Sequence, residues 1–227
     1  MTDLKNRLID AALMHVPFDG WSETAFRAAI ADTGIPPAEA RAAFPRGAVD
    51  LALAFHRRDD ARMGEQLGAE DLAGLRYRDR VAHAVRTRIV LADENREAVR
   101  RGMTLFALPI HAADGTRALW GTADAIWTIL GDTSEDVNWY SKRAILSGVY
   151  SSTVLYWLGD QSEEHRETWA FLDRRIEDVM RFEKVKARIN KSPVLSRLMA
   201  GPNMVLSRIR KPSGPPIDLP GYWGPRG

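Results

Sequence analysis

Apolar residues in this chain recur at spacings of three and four, and no run of alternating β-branched residues is bounded by hairpin turns. Such spacing lines one face of an α-helix and cannot line one face of a strand. The pattern therefore predicts an all-α chain. Leu4, Leu8, Ala11, Ala12 and His15 share a face of a first helix that Pro17 helps to stop. Ser22 is placed to cap a second helix, with Phe26, Ala29 and Ile30 inward and Gly34 at its end. Pro36 or Pro37 opens a short third helix ending at Phe44–Pro45, and a fourth begins near Gly47. Later helices are expected over 79–92, 94–108, 116–131, 135–158 and 163–182, with Pro109, Gly115, Gly131 and Gly159 as breaks. Thr133 and Asp136 have capping-box spacing, and Ser162 stands before Glu163–Glu164 as an N-cap.

Composition removes whole classes. With 45% apolar residues in 227, the chain has enough to bury a core and is not a disordered polymer. It has no cysteine, which excludes a disulfide framework, a cysteine nucleophile and thiolate metal sites. No stretch approaches the ~20 apolar residues that span a bilayer. The start MTDLKNRLID has neither an apolar run nor an arginine-rich leader, so no signal or transit peptide is expected. Charge is unevenly spread. Residues 1–60 hold seven Lys/Arg against nine Asp/Glu, whereas residues 181–227 hold ten against two. A basic end points to a polyanion, either nucleic acid or an anionic membrane surface. The plainer alternative is a solvated tail.

Three parts follow: a helix-turn-helix-like unit over 1–63, a larger helical bundle over 64–182, and a basic amphipathic segment with an irregular tail over 183–227. From Lys211 onward the sequence is rich in Pro and Gly and has no periodicity.

The first part runs Gly20-Trp21-Ser22-Glu23-Thr24-Ala25-Phe26, then Ile30-Ala31-Asp32-Thr33-Gly34-Ile35, then Phe44-Pro45-Arg46-Gly47 before Leu51. This resembles the N-terminal domain of TetR-family regulators, which place their third helix in the DNA major groove. Here that helix, Pro36–Phe44, carries four alanines, one acid and one base. Base readout needs Arg, Lys, Asn or Gln, and phosphates need surplus positive charge. The expectation is a helical scaffold that binds no nucleic acid.

Five of the seven tryptophans, Trp120, Trp127, Trp139, Trp157 and Trp169, lie between 120 and 169. On a helical wheel Leu119, Trp120, Ala123, Ile126, Trp127 and Leu130 fill one arc. The helix from 135 is apolar on two sides. One stripe holds Trp139, Arg143, Leu146, Tyr150, Thr153, Val154 and Trp157, and the other holds Ile145, Val149 and Tyr156. Such a helix is either centrally buried or has a core on one side and a partner or ligand on the other.

The run Gly131-Asp132-Thr133-Ser134-Glu135-Asp136-Val137-Asn138-Trp139-Tyr140-Ser141-Lys142-Arg143, with Thr168-Trp169-Ala170-Phe171-Leu172-Asp173-Arg174-Arg175-Ile176, closely resembles the ninth Coq protein family of ubiquinone biosynthesis. The resemblance extends to the TetR-like start and the basic amphipathic end. It implies a TetR-like fold, a homodimer, and an isoprenoid lipid held between the C-terminal helices. It also implies assistance to the di-iron hydroxylase acting on demethoxyubiquinone. Carried over residue by residue, the partner-docking patch falls on Asp124, Ile126, Trp127, Trp139 and Tyr140. Arg143 joins it, one turn beyond Trp139, where it can pair with Asp136 or Asp132. The lipid-binding residues fall on Trp120, Leu146, Tyr150, Val154, Trp157 and Phe171.

In the basic end, Leu195, Leu198, Met199, Leu206 and Ile209 fall near one side if the segment is helical, with Arg197 and Arg208 opposite. That is the make-up of a helix lying in a bilayer interface. Gly201-Pro202 kinks or divides it. An ordinary helix packed on the body is the competing reading.

His15, His56, His83, His111 and His165 make no H-x-x-x-H or E-x-x-H pair, and there is no phosphate-cradling glycine loop and no G-x-S-x-G. The expectation is therefore no catalytic residues, no metal and no cofactor. The leading reading is a non-catalytic accessory protein that binds an isoprenoid quinone precursor or a phospholipid. It would present the quinone to the hydroxylase at a membrane surface, as a cytoplasmic protein peripheral to a bacterial inner membrane. A TetR-like transcriptional regulator with a hydrophobic ligand and a purely structural dimer are the rivals.

Overall fold

The computed structural model describes residues 2–191. Its helices are α1 (Thr2–Asp19), α2 (Glu23–Thr33), α3 (Pro37–Ala43), α4 (Ala48–Gly68), α5 (Tyr77–Val90), α6 (Arg96–Ala107), α7 (Ala112–Ile129), α8 (Val137–Gly159) and α9 (Arg166–Lys191). Among the described residues there is no strand, as the apolar spacing predicts. The described residues divide into two compact units, separated between Ile129 and Leu130. The break expected after residue 63 falls inside α4, which passes through it with Asp59, Met63 and Leu67 all buried.

In the first unit α1 packs on α2, and both share a core with α3, α4 and α6. Leu8, Ala12 and Val16 of α1 meet Phe26 and Ala29 of α2, Phe44, and Leu51 and Phe55 of α4. The Trp21 indole donates to the Ala98 carbonyl at 2.9 Å and so fastens the α1–α2 corner to α6. Local signals set the ends. The Ser22 hydroxyl accepts from the Ala25 amide at 3.2 Å, and Gly34 closes α2 at φ 64°, donating to the Ile30 and Ala31 carbonyls. Pro37 opens α3, where its missing N–H costs no helical bond. At the Phe44–Gly47 joint only glycine fits. Gly47 has φ 60°, and a Cβ there would lie 2.8 Å from Arg41 Nη1 and 2.9 Å from Glu23 Oε2.

Several ends differ from expectation. Pro17 does not stop α1, which runs on to Asp19. A proline that near the C-terminus removes only one of the last helical bonds. Gly115 lies inside α7 instead of breaking it, because α7 starts at Ala112. A Cβ at Gly115 would sit 2.7 Å from Phe106 Cβ, so the glycine lets α6 and α7 close up. The Thr133–Asp136 capping box does not form. Asp136 is itself the N-cap and accepts from the Asn138 amide at 2.9 Å. Ser162 caps from further away. A short 3-10 turn, Glu163–His165, comes first, and the Ser162 hydroxyl accepts from the Glu167 amide at 3.0 Å.

In the second unit α8 packs against α9. Asp160 ties the corner between them, accepting from the Ser162 amide, the Thr168 amide and the Thr168 hydroxyl. Burial pushes this carboxyl up, but those donors outweigh it and hold it well below the usual range.

Candidate functional site

The candidate residues occupy both units, and each set has its own surroundings. On α7, in the first unit, the wheel arc is real: Ala123 and Ile126 are fully buried and Trp127 is 7% exposed. The Tyr77 ring stacks on Trp127 at 5.7 Å. Ile126 and Trp127, two of the docking residues carried over from the resemblance, are thus packed within the first unit, while Asp124 is half-buried, as is the lipid candidate Trp120.

The first unit also holds a buried polar cluster that the sequence reading missed. Arg88 of α5, 3% exposed, donates to Asp60 at 2.7 Å and to the His56 carbonyl at 3.2 Å, and faces Asp59 at 3.6 Å. The Thr122 hydroxyl of α7 lies 2.8 Å from His56 Nε2 and donates to both Asp60 oxygens, at 3.0 and 3.1 Å. Asp59 is 1% exposed. Burial pushes its carboxyl up, against the pull of Arg88, Arg62 and Arg58. Burial also pushes the His56 imidazole down to about 4. A signal for this cluster was present: Asp59 is four residues from both Phe55 and Met63, on the buried stripe of α4.

In the second unit the run 131–143 folds into one interlocked element. The Asp132 side chain is 2% exposed and its Oδ1 accepts from Lys142 Nζ at 2.7 Å and from the Ser134 hydroxyl at 2.8 Å. Its Oδ2 accepts from Arg143 Nη1 at 3.0 Å. Burial pushes this carboxyl up, but the hydrogen bonds from Lys142, Ser134 and Arg143 prevail and hold it at about 2. Of the two partners open to Arg143, the structure selects Asp132. Arg143 is itself buried, so this is an interior ion pair and not an exposed one. Its guanidinium lies 4.0 Å from the Trp139 ring centroid, and Tyr140 meets Trp139 edge-on at 4.8 Å. Trp139 and Tyr140 are both half-buried.

Beyond that element the first α8 stripe turns inward. Leu146, Tyr150, Val154 and Trp157 are all buried. On the second stripe Tyr156 stacks on Phe171 of α9 at 4.6 Å. His165 lies edge-on between Trp157 and Trp169, at 6.4 and 6.1 Å. Leu155 is 60% exposed. The residues expected to bind membrane, Leu195, Leu198, Met199, Leu206, Ile209, Arg197 and Arg208, lie outside the described residues. Among the described residues no helix is long and apolar enough to cross a membrane, and no His, Asp or Glu group clusters as metal ligands do.

The interlocked run, all of α8 and most of α9 fall within a stretch that matches a known family. Residues 112–183 match the COQ9 family. COQ9 proteins are also similar over a longer span. The probable ubiquinone biosynthesis protein coq9 of Dictyostelium discoideum is 28% identical, over 92% of this chain and 68% of that protein. The ubiquinone biosynthesis protein COQ9 of Rattus norvegicus is 32% identical, over 78% of this chain and 59% of that protein. The Homo sapiens COQ9 is 30% identical, over 78% and 58%. This chain thus spans roughly three fifths of the length of the two mammalian COQ9 proteins. All three relatives are named as mitochondrial. Among solved structures, a TetR transcriptional regulator from Nitrosomonas europaea superposes with a TM-score of 0.63 over 77% of this chain and 97% of that one. At 19% identity this shows the fold alone: the chain has a TetR-like helical architecture.

Proposed function

We propose that this chain is a non-catalytic accessory protein of ubiquinone biosynthesis. It binds an isoprenoid quinone precursor or a phospholipid and offers the quinone to the di-iron demethoxyubiquinone hydroxylase, as a homodimer at a membrane surface. The observation that carries the reading is the similarity to COQ9 proteins over 78% of the chain or more, since those proteins are named for that pathway. The physical support is apolar surface. Each methylene removed from water is worth about 0.8 kcal/mol, so a polyprenyl tail leaves a bilayer only for another apolar container. Within the second unit, the inward stripe Leu146, Tyr150, Val154 and Trp157, with Phe171 of α9, offers the side chains such a container needs. Trp139 and Tyr140 at the start of α8 have the chemistry of a docking hot spot.

Regulation of transcription fits less well. The one base of α3, Arg41, is paired with Glu23 and stacked over Phe26, so it is engaged within the protein. Mass spectrometry of an organic extract of the purified chain tests the lipid reading. Enrichment of an isoprenoid quinone or a phospholipid in rough proportion to protein supports it. An extract matching that of a mock purification refutes it.

A further inference from the structure

The proposed docking aromatic, Trp139, sits in the first turn of α8, just after the N-cap Asp136. First turns fray readily, and a large side chain there has several rotamers open to it. Yet in this structure the indole is held. The Arg143 guanidinium lies over it, with 4.0 Å from its carbon to the ring centroid, and donates to the Trp139 carbonyl at 3.1 Å. An arginine so buried keeps its place only while a carboxylate balances it. Asp132 is that carboxylate. It lies eleven residues upstream, before the helix begins, and accepts from the same Nη1 at 3.0 Å. A second cation, Lys142, and the Ser134 hydroxyl hold its other oxygen.

We propose that Asp132 is a positioning residue: through Arg143 it fixes the Trp139 indole in its presenting orientation. Asp132 need not touch the partner. Its side chain is 2% exposed, whereas Trp139 and Tyr140 keep part of their surface open. The effect on docking is one of pre-organisation, since a side chain ordered in advance need not be ordered on binding. Lys142, 36% exposed, can turn to water if the carboxylate is lost, whereas Arg143, 3% exposed, can reach water only by leaving the indole. The α8 stripe from Leu146 to Trp157 is buried independently of this pair, so the helix outlasts its loss.

The effect on binding rests on the docking reading above; the effect on the indole does not. The test uses the full chain labelled with 5-fluorotryptophan, with the Trp139 fluorine signal identified by Trp139→Phe. Asp132→Asn is expected to shift or broaden that signal and leave the helical circular dichroism unchanged. It should also weaken capture of the hydroxylase by about tenfold, the size expected when one large side chain must be ordered on binding. Asp132→Glu, which keeps the charge, is expected to recover both. Arg143→Met leaves Asp132 paired with Lys142, so it supplies the same readout if Asp132→Asn does not fold. An unmoved Trp139 signal in the folded variant overturns the positioning role, whatever happens to binding. A moved signal with undiminished capture supports positioning and refutes docking through Trp139.

Discussion

Arg88 of α5 donates to Asp60 of α4 at 2.7 Å in the interior of the first unit, with side-chain exposures of 3% and 13%. The pair also balances Asp59, which is 1% exposed. Arg88→Met should therefore leave two acids in the interior without their main cation and cost about 3–5 kcal/mol. Removing an ion pair at the surface should not. In the Arg58–Asp10 pair, Asp10 is 66% exposed, and Asp10→Ala should cost about 1 kcal/mol or less. Urea unfolding of the two variants checks the contrast, and equal losses contradict the interior role of Arg88.

The same cluster makes stability depend on pH. Burial lowers the His56 imidazole from 6.5 to about 4. Asp60 pulls the other way, and Arg88 and Arg57 add to the lowering. The unfolded chain takes up a proton near 6.5 that the folded chain refuses until about 4. The contribution of neutral His56 is thus complete above 6.5 and is lost as pH falls toward 4. Asp59, pushed up by burial, acts in the opposite sense on acidification. Asp132 and Asp160 enter only lower, as pH falls through 3.8. Melting temperatures of wild type and His56→Gln across that range should show a smaller acid decline in the variant. Parallel declines would falsify the assignment to His56.

Much of this was legible in the sequence, for physical reasons tied to particular residues. Period and caps gave the helices, because Ser22, Gly34 and Pro37 act on their own neighbours. The wheel put Ala123, Ile126 and Trp127 on one arc of α7, and all three are buried. Asp59 on the buried stripe of α4 marked a polar group in the core, but Arg88 as the partner of Asp60 was not legible, because the two are 28 residues apart and each has the look of surface charge. The choice of Asp132 over Asp136 for Arg143 required the turn geometry that precedes α8, which spacing alone does not supply.

The basic amphipathic stretch predicts its own effect. A chain lacking residues 193–211 should keep its helical circular dichroism and sediment less with anionic liposomes. The electrostatic share of that loss should shrink in high salt. Equal sedimentation of the truncated and full-length chains contradicts an interfacial role for Leu195, Leu198, Met199, Leu206 and Ile209.

The central claim is that the start of α8 is a docking surface and not a part of the core. Trp139→Lys separates the two most directly, with a thermal melt and a hydroxylase pull-down on one preparation. Truncating a core tryptophan typically costs about 3–5 kcal/mol and lowers the melting temperature accordingly. The account predicts a folded variant, with a melting temperature close to wild type, that no longer captures the hydroxylase. A folded variant that captures it normally would contradict the account.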